Sequence, residues 1–126
     1  ESAVLQSSPL VAHVAAIGDR RRFVTALIVL DGTELAAFAD KHDLSGDRAE
    51  LVASDAVQAE VARAIAAGNE RLSRVEQIRG WTVLDAEWLP GGEEVTNTMK
   101  LRRGKIDEKY ADQIEGLYVN ARSSSD

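Results

Sequence analysis

A continuous run of β-branched, aromatic and aliphatic residues at positions 23–30 constrains the fold of this chain more than any other feature. The run reads FVTALIVL and lacks the alternation of apolar and polar side chains expected of a half-buried strand. Such a run is typical of a strand that is buried on both faces. Residues 10–17 form a second apolar run, broken only by His13, and a polar stretch at 18–22 separates the two. The two runs are therefore predicted to pair as an antiparallel hairpin.

Helical periodicity appears in two segments after the hairpin. Thr33 is the predicted N-cap of the first helix, whose apolar face repeats at helical spacing. That face consists of Leu35, Phe38, Ala39 and His42. A loop at 44–47 and a short turn around Leu51 follow, and Ser54 is the predicted N-cap of a longer helix. The apolar stripe of the longer helix consists of Val57, Val61, Ile65, Leu72 and Val75.

The remaining elements complete an α+β pattern. Residues 81–88 (WTVLDAEW) are predicted to form a third strand, which the polar and glycine-containing stretch at 89–94 ends. The last helix begins near Gly104, and residues 1–8 read as the end of another helix that Pro9 stops. The apolar face of the last helix consists of Ile106, Tyr110, Ile114 and Leu117. The order α-β-β-α-α-β-α predicts a small two-layer α+β domain, in which a mainly antiparallel three-stranded sheet packs against helices.

Composition limits the function classes open to this domain. The 126 residues support one compact domain and include no cysteine, which excludes disulfides, thiolate nucleophiles and cysteine-based zinc sites. With two histidines, no metal site is predicted, and the net charge of −6 argues against a dedicated nucleic-acid binder. No apolar run approaches the roughly 18 residues of a membrane helix. The start of the chain lacks the features of a signal peptide, and because it begins at Glu1 it reads as part of a longer protein.

The stretch between the third strand and the last helix is the main candidate site. Residues 94–105 (EVTNTMKLRRGK) combine two threonines with a cluster of cations, and they interleave Val95, Met99 and Leu101 as if these three anchored the loop. The ammonium of Lys100 is a mobile point charge that can neutralise phosphate or carboxylate oxygens. By composition alone, a solvated basic turn is the simpler interpretation.

Other chemistry-bearing residues fit structural roles. The arginines at 20–22 are typical of a solvated turn, and His13 of a packed strand position. His42 lies near a helix C-terminus, where a cation suits the helix dipole, and Trp81 and Trp88 suit packing. The sequence contains no glycine-rich dinucleotide or phosphate-loop motif, and no spacing typical of a hydrolase triad or of paired catalytic carboxylates.

Residues 96–103 (TNTMKLRR) closely resemble the Thr-Pro-Thr-Met-Lys-Leu-Lys-Arg signature near the end of long-chain fatty-acid–CoA ligases, members of the acyl-adenylate-forming superfamily. Further stretches resemble this family in the expected order: 8–12, 18–19, 26–31, 69–72, 76–78 and the apolar face of the last helix with Tyr118. The likeness covers residues 1–118, which are interpreted as a C-terminal lid domain, and 119–126 as a flexible polar tail.

The resemblance implies that this chain is one part of a two-domain enzyme. A large N-terminal domain would bind the fatty acid together with ATP and Mg²⁺, and the C-terminal domain would close over it in two orientations. In the first orientation, the fatty acid reacts with ATP to give acyl-adenylate and pyrophosphate. The C-terminal domain then rotates, and the thiol of CoA attacks the adenylate. The family's lysine enters the site in the first orientation. This role falls on Lys100, because its neighbours match the signature on both sides.

The same resemblance assigns roles to four neighbours of that lysine. Shaping of the loop falls on Thr96 and Thr98, and contact with the N-terminal domain or the nucleotide falls on Arg102 and Arg103. Asn97 stands where the signature has proline, which loosens the loop. Lys105 is the second candidate for the catalytic lysine, since it follows Gly104 and the broader superfamily often places its lysine directly after glycine.

The leading interpretation is thus the lid domain of a long-chain fatty-acid–CoA ligase (AMP-forming) that is inactive and monomeric when isolated. Its expected partners are the N-terminal domain, fatty acid, ATP and CoA, with no nucleic acid. A cytoplasmic location is expected without membrane insertion, and peripheral membrane contact stays open. Two alternatives remain: the corresponding domain of a fatty-acyl-AMP ligase, and a stand-alone α+β binding or regulatory module that uses the basic loop for docking.

Overall fold

The computed structural model describes residues 7–18, 23–73 and 76–124, and over these residues the chain forms three strands and five helices. Their order is β1 (Val11–Ile17), β2 (Val24–Leu30), α1 (Gly32–Lys41), α2 (Arg48–Ala53), α3 (Asp55–Asn69), β3 (Ile78–Leu84), α4 (Arg103–Lys109) and α5 (Ala111–Ser124). The helix predicted over 1–8 lies mostly outside the described residues, as do the arginines at 20–22 and Val75. No helix among the described residues is long and apolar enough to cross a membrane.

Strand β2 lies in the middle of the sheet, whose order is β1-β2-β3. β1 pairs with β2 in antiparallel orientation, with Val14 opposite Ile28, which confirms the predicted hairpin. β3 pairs with β2 in parallel orientation, with Trp81 opposite Ala26. The sheet is therefore mixed rather than mainly antiparallel, because the helices between β2 and β3 form a crossover that returns the chain in the same direction.

Both faces of β2 are covered. Since successive side chains of a strand point to opposite faces, Ala26, Ile28 and Leu30 pack in one core and Leu27 and Val29 in another. We call these the α3-side core and the α5-side core, after the longest helix in each. The α+β class is confirmed, but helices lie on both faces of the sheet, so the prediction of two layers is corrected to three. The burial of β2 on both faces was itself predicted by its unbroken sequence.

The helix starts show which polar residue caps each helix. Asp31, not Thr33, is the N-cap of α1: its backbone is extended and its carboxylate accepts a hydrogen bond from the amide of Glu34 at 2.9 Å. The prediction of Thr33 was wrong because α1 begins earlier, at Gly32. Ser54 caps α3 as predicted, accepting a bond from the amide of Val57 at 3.3 Å.

The ends of α3 and β3 differ from the sequence prediction. α3 ends at Asn69, whose side-chain amide exchanges two hydrogen bonds with the backbone of Ile78, at 2.8 and 2.9 Å. This pairing ends the helix before Leu72 and starts β3 at Ile78 rather than Trp81. β3 ends at Leu84, so Trp88 belongs to the following loop, where it is 3% exposed.

The final helical stretch is divided into two helices. α4 begins at Arg103, one residue before the predicted start, and ends at Lys109, with Tyr110 as its C-cap. α5 then runs from Ala111 to Ser124. Helical backbone thus continues into the segment 119–126 that was predicted to be a flexible tail, and the flexibility of that segment stays a prediction.

Candidate functional site

Residues 94–102 form a tight hairpin, here called the lysine hairpin, between β3 and α4. Its arms meet at an antiparallel bridge between Val95 and Leu101. The amide of Arg102 donates to the carbonyl of Glu94 at 2.8 Å, and the amide of Thr96 donates to the carbonyl of Lys100 at 2.8 Å. The backbone on both sides of Lys100 is therefore fixed by main-chain hydrogen bonds.

Two apolar residues anchor the lysine hairpin to the α5-side core. Val95 is fully buried there, and Leu101 packs against the same core while half-buried. Met99, predicted as a third anchor, is 54% exposed and has φ of +67°, a left-handed conformation that non-glycine residues rarely adopt. Its position in the turn directs the side chain to solvent, so the anchoring role predicted for Met99 is corrected.

Lys100 lies next to this turn and is exposed. Its amide donates to the hydroxyl of Thr96 at 3.0 Å, and the hydroxyls of Thr96 and Thr98 are 3.1 Å apart. Over the described part of the chain, no hydrogen bond or ion pair engages the Lys100 ammonium. The structure therefore fixes the backbone of this lysine and leaves its charge available to a ligand.

The other predicted site cations differ from Lys100 in their hydrogen-bond partners or in the element that carries them. Arg102 donates from Nε to the carbonyl of Gly92 at 3.2 Å, and Arg103 donates from Nη1 to the carbonyl of Ala16 at 3.4 Å. Lys105 is exposed in the first turn of α4, outside the lysine hairpin. The structure thus brings the two threonines and Lys100 together in the hairpin and places Lys105 on α4.

Asn97, which replaces the signature proline, packs closely against the preceding turn. Gly91 there has φ of +82°, and a Cβ at this position would lie 2.5 Å from Oδ1 of Asn97. The amide of Gly91 also donates to the carbonyl of Val95 at 2.9 Å. The positive φ therefore favours glycine at this position, and any larger residue would also displace the Asn97 side chain.

Glu94 is a site residue that the sequence did not reveal. It is 7% exposed, and its Oε2 accepts hydrogen bonds from Nζ of Lys109 and from the hydroxyl of Tyr110, both at 2.8 Å. The Tyr110 hydroxyl in turn accepts a bond from Nε1 of Trp88 at 3.1 Å. On the outer side, Glu93 accepts a second bond from Lys109 at 2.8 Å. We call these five residues the Glu94 network.

The electrostatics of the Glu94 network follow from these contacts. The hydrogen bond from Lys109 lowers the pKa of the Glu93 carboxyl. The hydrogen bonds to Glu93 and Glu94 raise the pKa of the Lys109 ammonium. Burial raises the pKa of the Tyr110 phenol. Lys109 is thus held as a cation by two carboxylates, in contrast to the unengaged Lys100.

The lysine hairpin and the loop before it carry the two most exposed large apolar side chains of the described residues, Met99 at 54% and Leu89 at 62%. Both line a groove of about 380 Å³ that also reaches His13 and Trp88. His13 contacts the carbonyl of Trp88 through Nε2 at 3.1 Å, as a packed histidine does. Within residues 7–18, 23–73 and 76–124, no group of three or more acidic or histidine side chains is placed to hold a metal ion.

The remaining candidates have packing roles. His42 is the C-cap residue of α1, and its ring lies 4.2 Å from the ring of Phe38. Trp88 is buried in the α5-side core, and Trp81 packs partly buried against the α3-side core.

Comparison with known proteins shows which family this domain belongs to. The family model described as "AMP-binding enzyme C-terminal domain" matches residues 1–122. The chain belongs to this family. The resemblance noted in the sequence is thereby confirmed, and this AMP-binding enzyme C-terminal domain has relatives along nearly its whole length.

Two of those relatives are named as fatty-acid–CoA ligases. A putative fatty-acid–CoA ligase, fadD11 of Mycobacterium tuberculosis, is 43% identical over 120 residues, covering 95% of this chain and 21% of the relative. The long-chain-fatty-acid–CoA ligase ACSBG2 of Gallus gallus is 30% identical over 141 residues, covering 98% of this chain and 18% of the relative. The chain therefore spans about a fifth of the length of these relatives.

Solved structures share the fold of this C-terminal domain. The A-PCP didomain of carboxylic acid reductase from Segniliparus rugosus, in complex with AMP, matches with a TM-score of 0.69 at 20% identity, covering 98% of this chain and 16% of that one. The adenylation domain of a carboxylate reductase from Mycobacterium chelonae matches with a TM-score of 0.63 at 24% identity, covering 94% and 17%. At these identities the likeness concerns the fold alone.

Proposed function

We propose that this chain is the mobile C-terminal domain of a long-chain fatty-acid–CoA ligase. In the proposed reaction, a carboxylate oxygen of the fatty acid attacks the α-phosphorus of ATP, and pyrophosphate leaves. The thiol of CoA then attacks the acyl carbon, and AMP leaves. The N-terminal domain would bind ATP with Mg²⁺ and the fatty acid, and this chain would supply a lysine to the first step. The family membership and the named ligase relatives support this proposal.

The observation that carries the proposal is the exposed, unengaged ammonium of Lys100 on a fixed backbone. Negative charge crowds where a carboxylate attacks a phosphate, and a positive charge placed there stabilises the transition state. Since this charge is attached to a domain that closes, it would arrive only when the domain docks, which couples closure to adenylation. Thr96 would set the backbone of Lys100 through the 3.0 Å bond to its amide.

The same surface offers a docking face for the N-terminal domain. Met99 in the lysine hairpin and Leu89 in the loop before it are exposed, and they would be buried when the domain closes. Arg102 and Arg103 are exposed at the end of the hairpin and would contact the N-terminal domain or the nucleotide. We further propose a cytoplasmic enzyme that reaches its lipid substrate by peripheral membrane contact.

Fatty-acid-dependent exchange between ATP and pyrophosphate tests the proposal, because adenylation alone drives this exchange. The full-length protein that contains this chain should catalyse exchange with long-chain fatty acids. Lys100→Ala should reduce the exchange rate on the order of a hundredfold or more, as expected for loss of a charge at the transition state.

Lys105→Ala is the matched control, since it removes an exposed lysine of the neighbouring helix. It should leave exchange within about a factor of two, because Lys105 lies on α4 and not in the hairpin whose main-chain bonds present Lys100. The reverse pattern would transfer the role to Lys105. If the unaltered protein shows no exchange with any fatty acid, the ligase proposal fails and a binding module becomes the better account.

A further inference from the structure

We infer that Glu94 is a positioning residue for Lys100. Its buried carboxylate ties the base of the lysine hairpin to the junction of α4 and α5, so that Lys100 is presented in one place. This inference rests on the proposed function of Lys100. It adds a carboxylate that touches no substrate and acts through the lysine alone.

The environment of Glu94 is unusual for an acidic residue in a surface loop. The residue is 7% exposed, and a buried carboxylate is costly unless it is paired and hydrogen-bonded. Oε2 meets this requirement by accepting from Nζ of Lys109 and from the hydroxyl of Tyr110, both at 2.8 Å. Both donors belong to the α4–α5 junction, which is distant from Glu94 in the chain.

The main chain of Glu94 connects these contacts to the lysine hairpin. Its carbonyl accepts from the amide of Arg102 at 2.8 Å and thereby closes the hairpin base. The next residue, Val95, is fully buried and pairs with Leu101. Lys100 lies directly before Leu101, so a shift of the base would be transmitted to the lysine through one residue.

The far side of the network is a buried aromatic pair, Tyr110 and Trp88. Tyr110 is the C-cap of α4, and its hydroxyl also accepts a bond from Nε1 of Trp88 at 3.1 Å. Trp88 is 3% exposed and its ring lies 5.7 Å from that of Tyr110. The carboxylate of Glu94 is thus held on one side by a buried aromatic pair and on the other by the half-exposed Lys109.

Removal of the Glu94 charge should therefore loosen the hairpin and leave the fold in place. Lys109 keeps its bond to Glu93, and Tyr110 keeps its bond to Trp88. A lysine that samples more positions supplies less stabilisation to a transition state, because even displacements near 1 Å lower reaction rates strongly.

Hydrogen–deuterium exchange of the full-length protein tests the positioning directly. Glu94→Gln keeps the size of the side chain, and it should increase amide exchange in peptides covering residues 94–102. Glu93→Gln is the matched control, because Glu93 also bonds Lys109 but its side chain is 71% exposed. It should leave exchange in the hairpin unchanged. If Glu94→Gln also leaves exchange in the hairpin unchanged, the inference is overturned, whatever the activity of the variants.

A double-mutant cycle tests the action through Lys100. In the ATP–pyrophosphate exchange assay, Glu94→Gln should lower kcat on the order of tenfold with little change in KM for ATP, since geometry and not binding is lost. In the Lys100→Ala background the same change should have no further effect. An equal loss in both backgrounds would show that Glu94 acts independently of Lys100 and would overturn the inference.

Two outcomes of the ATP–pyrophosphate exchange assay separate the possible failures. If Lys100→Ala does not reduce ATP–pyrophosphate exchange, the proposed role of Lys100 fails, and the role of Glu94 in catalysis fails with it. If Lys100→Ala reduces ATP–pyrophosphate exchange but Glu94→Gln does not, only the inference about Glu94 fails. Tyr110→Phe provides a second variant in case Glu94→Gln folds poorly, and it should loosen the same peptides because it removes the phenol bond to Glu94.

Discussion

At the scale of single residues, two lysines near the candidate site differ in their partners among the described residues: Lys109 at the end of α4 is engaged by carboxylates, and Lys100 in the lysine hairpin is not. Lys109 is held by Glu93 and Glu94, both at 2.8 Å, and these carboxylates raise its pKa. The exposed ammonium of Lys100 has no such partner in the described parts of the chain. A charge that serves a ligand must not be neutralised by its own domain. Glu93 and Glu94, which precede Lys100 in the chain, bond Lys109 instead.

The Tyr110 phenol should report on the Glu94 network at alkaline pH. Burial raises its folded-state pKa above the usual value of about 10, so its contribution to stability is fully present below pH 10. That contribution should be lost as the pH rises through the folded-state pKa. The raised pKa of Lys109 acts in the same direction. A titration followed by phenolate absorbance should show one tyrosine ionising above pH 10, and Tyr110→Phe should remove it. An unshifted titration in both proteins would contradict the network.

The sequence indicated Lys100 but not Glu94, and the reason is distance along the chain. Lys100 lies within a contiguous motif, so its neighbours alone point to it. Glu94 and Tyr110 are 16 residues apart, and their contact arises only when α4 packs on the loop. Spacing alone assigns Tyr110 to an apolar helix face and conceals its hydrogen-bonding role.

At the scale of elements, local patterns predicted interiors better than ends. The run at β2 predicted burial on both faces, and all its residues after Val24 are buried. The apolar stripe and Ser54 cap of α3 were also visible in the sequence. The limits of β3 were not, because Asn69 fixes its start by a side-chain contact across a loop.

The N-terminus of α1 offers a test at this scale. Asp31→Ala should lower the free energy of unfolding by about 1 kcal/mol, since it leaves an amide of the first helical turn without its acceptor. Thr33→Ala should change it by less than about 0.5 kcal/mol, as exposed substitutions usually do. Urea denaturation of both variants distinguishes them. A larger loss for Thr33→Ala would mean that the cap is the one predicted from the sequence.

At the scale of the whole molecule, the mixed sheet separates two hydrophobic cores, and only one of them supports the lysine hairpin. The α3-side core packs one face with α1, α2 and α3, and the α5-side core packs the other with α4, α5 and the residues that anchor the lysine hairpin. The prediction of two layers missed this division, although the sequence of β2 indicated it. The α5 side thus carries both the proposed catalytic lysine and the exposed Leu89 and Met99.

Lys100 is proposed to serve the adenylation step and not the fold. Thioester formation from pre-made acyl-adenylate and CoA, measured in the full-length protein with Lys100→Ala, distinguishes these two roles. This second step should proceed within about a factor of three of the unaltered rate, because only an interaction made in the first transition state is lost. Equal loss of both steps would instead make Lys100 a structural residue and overturn its proposed role.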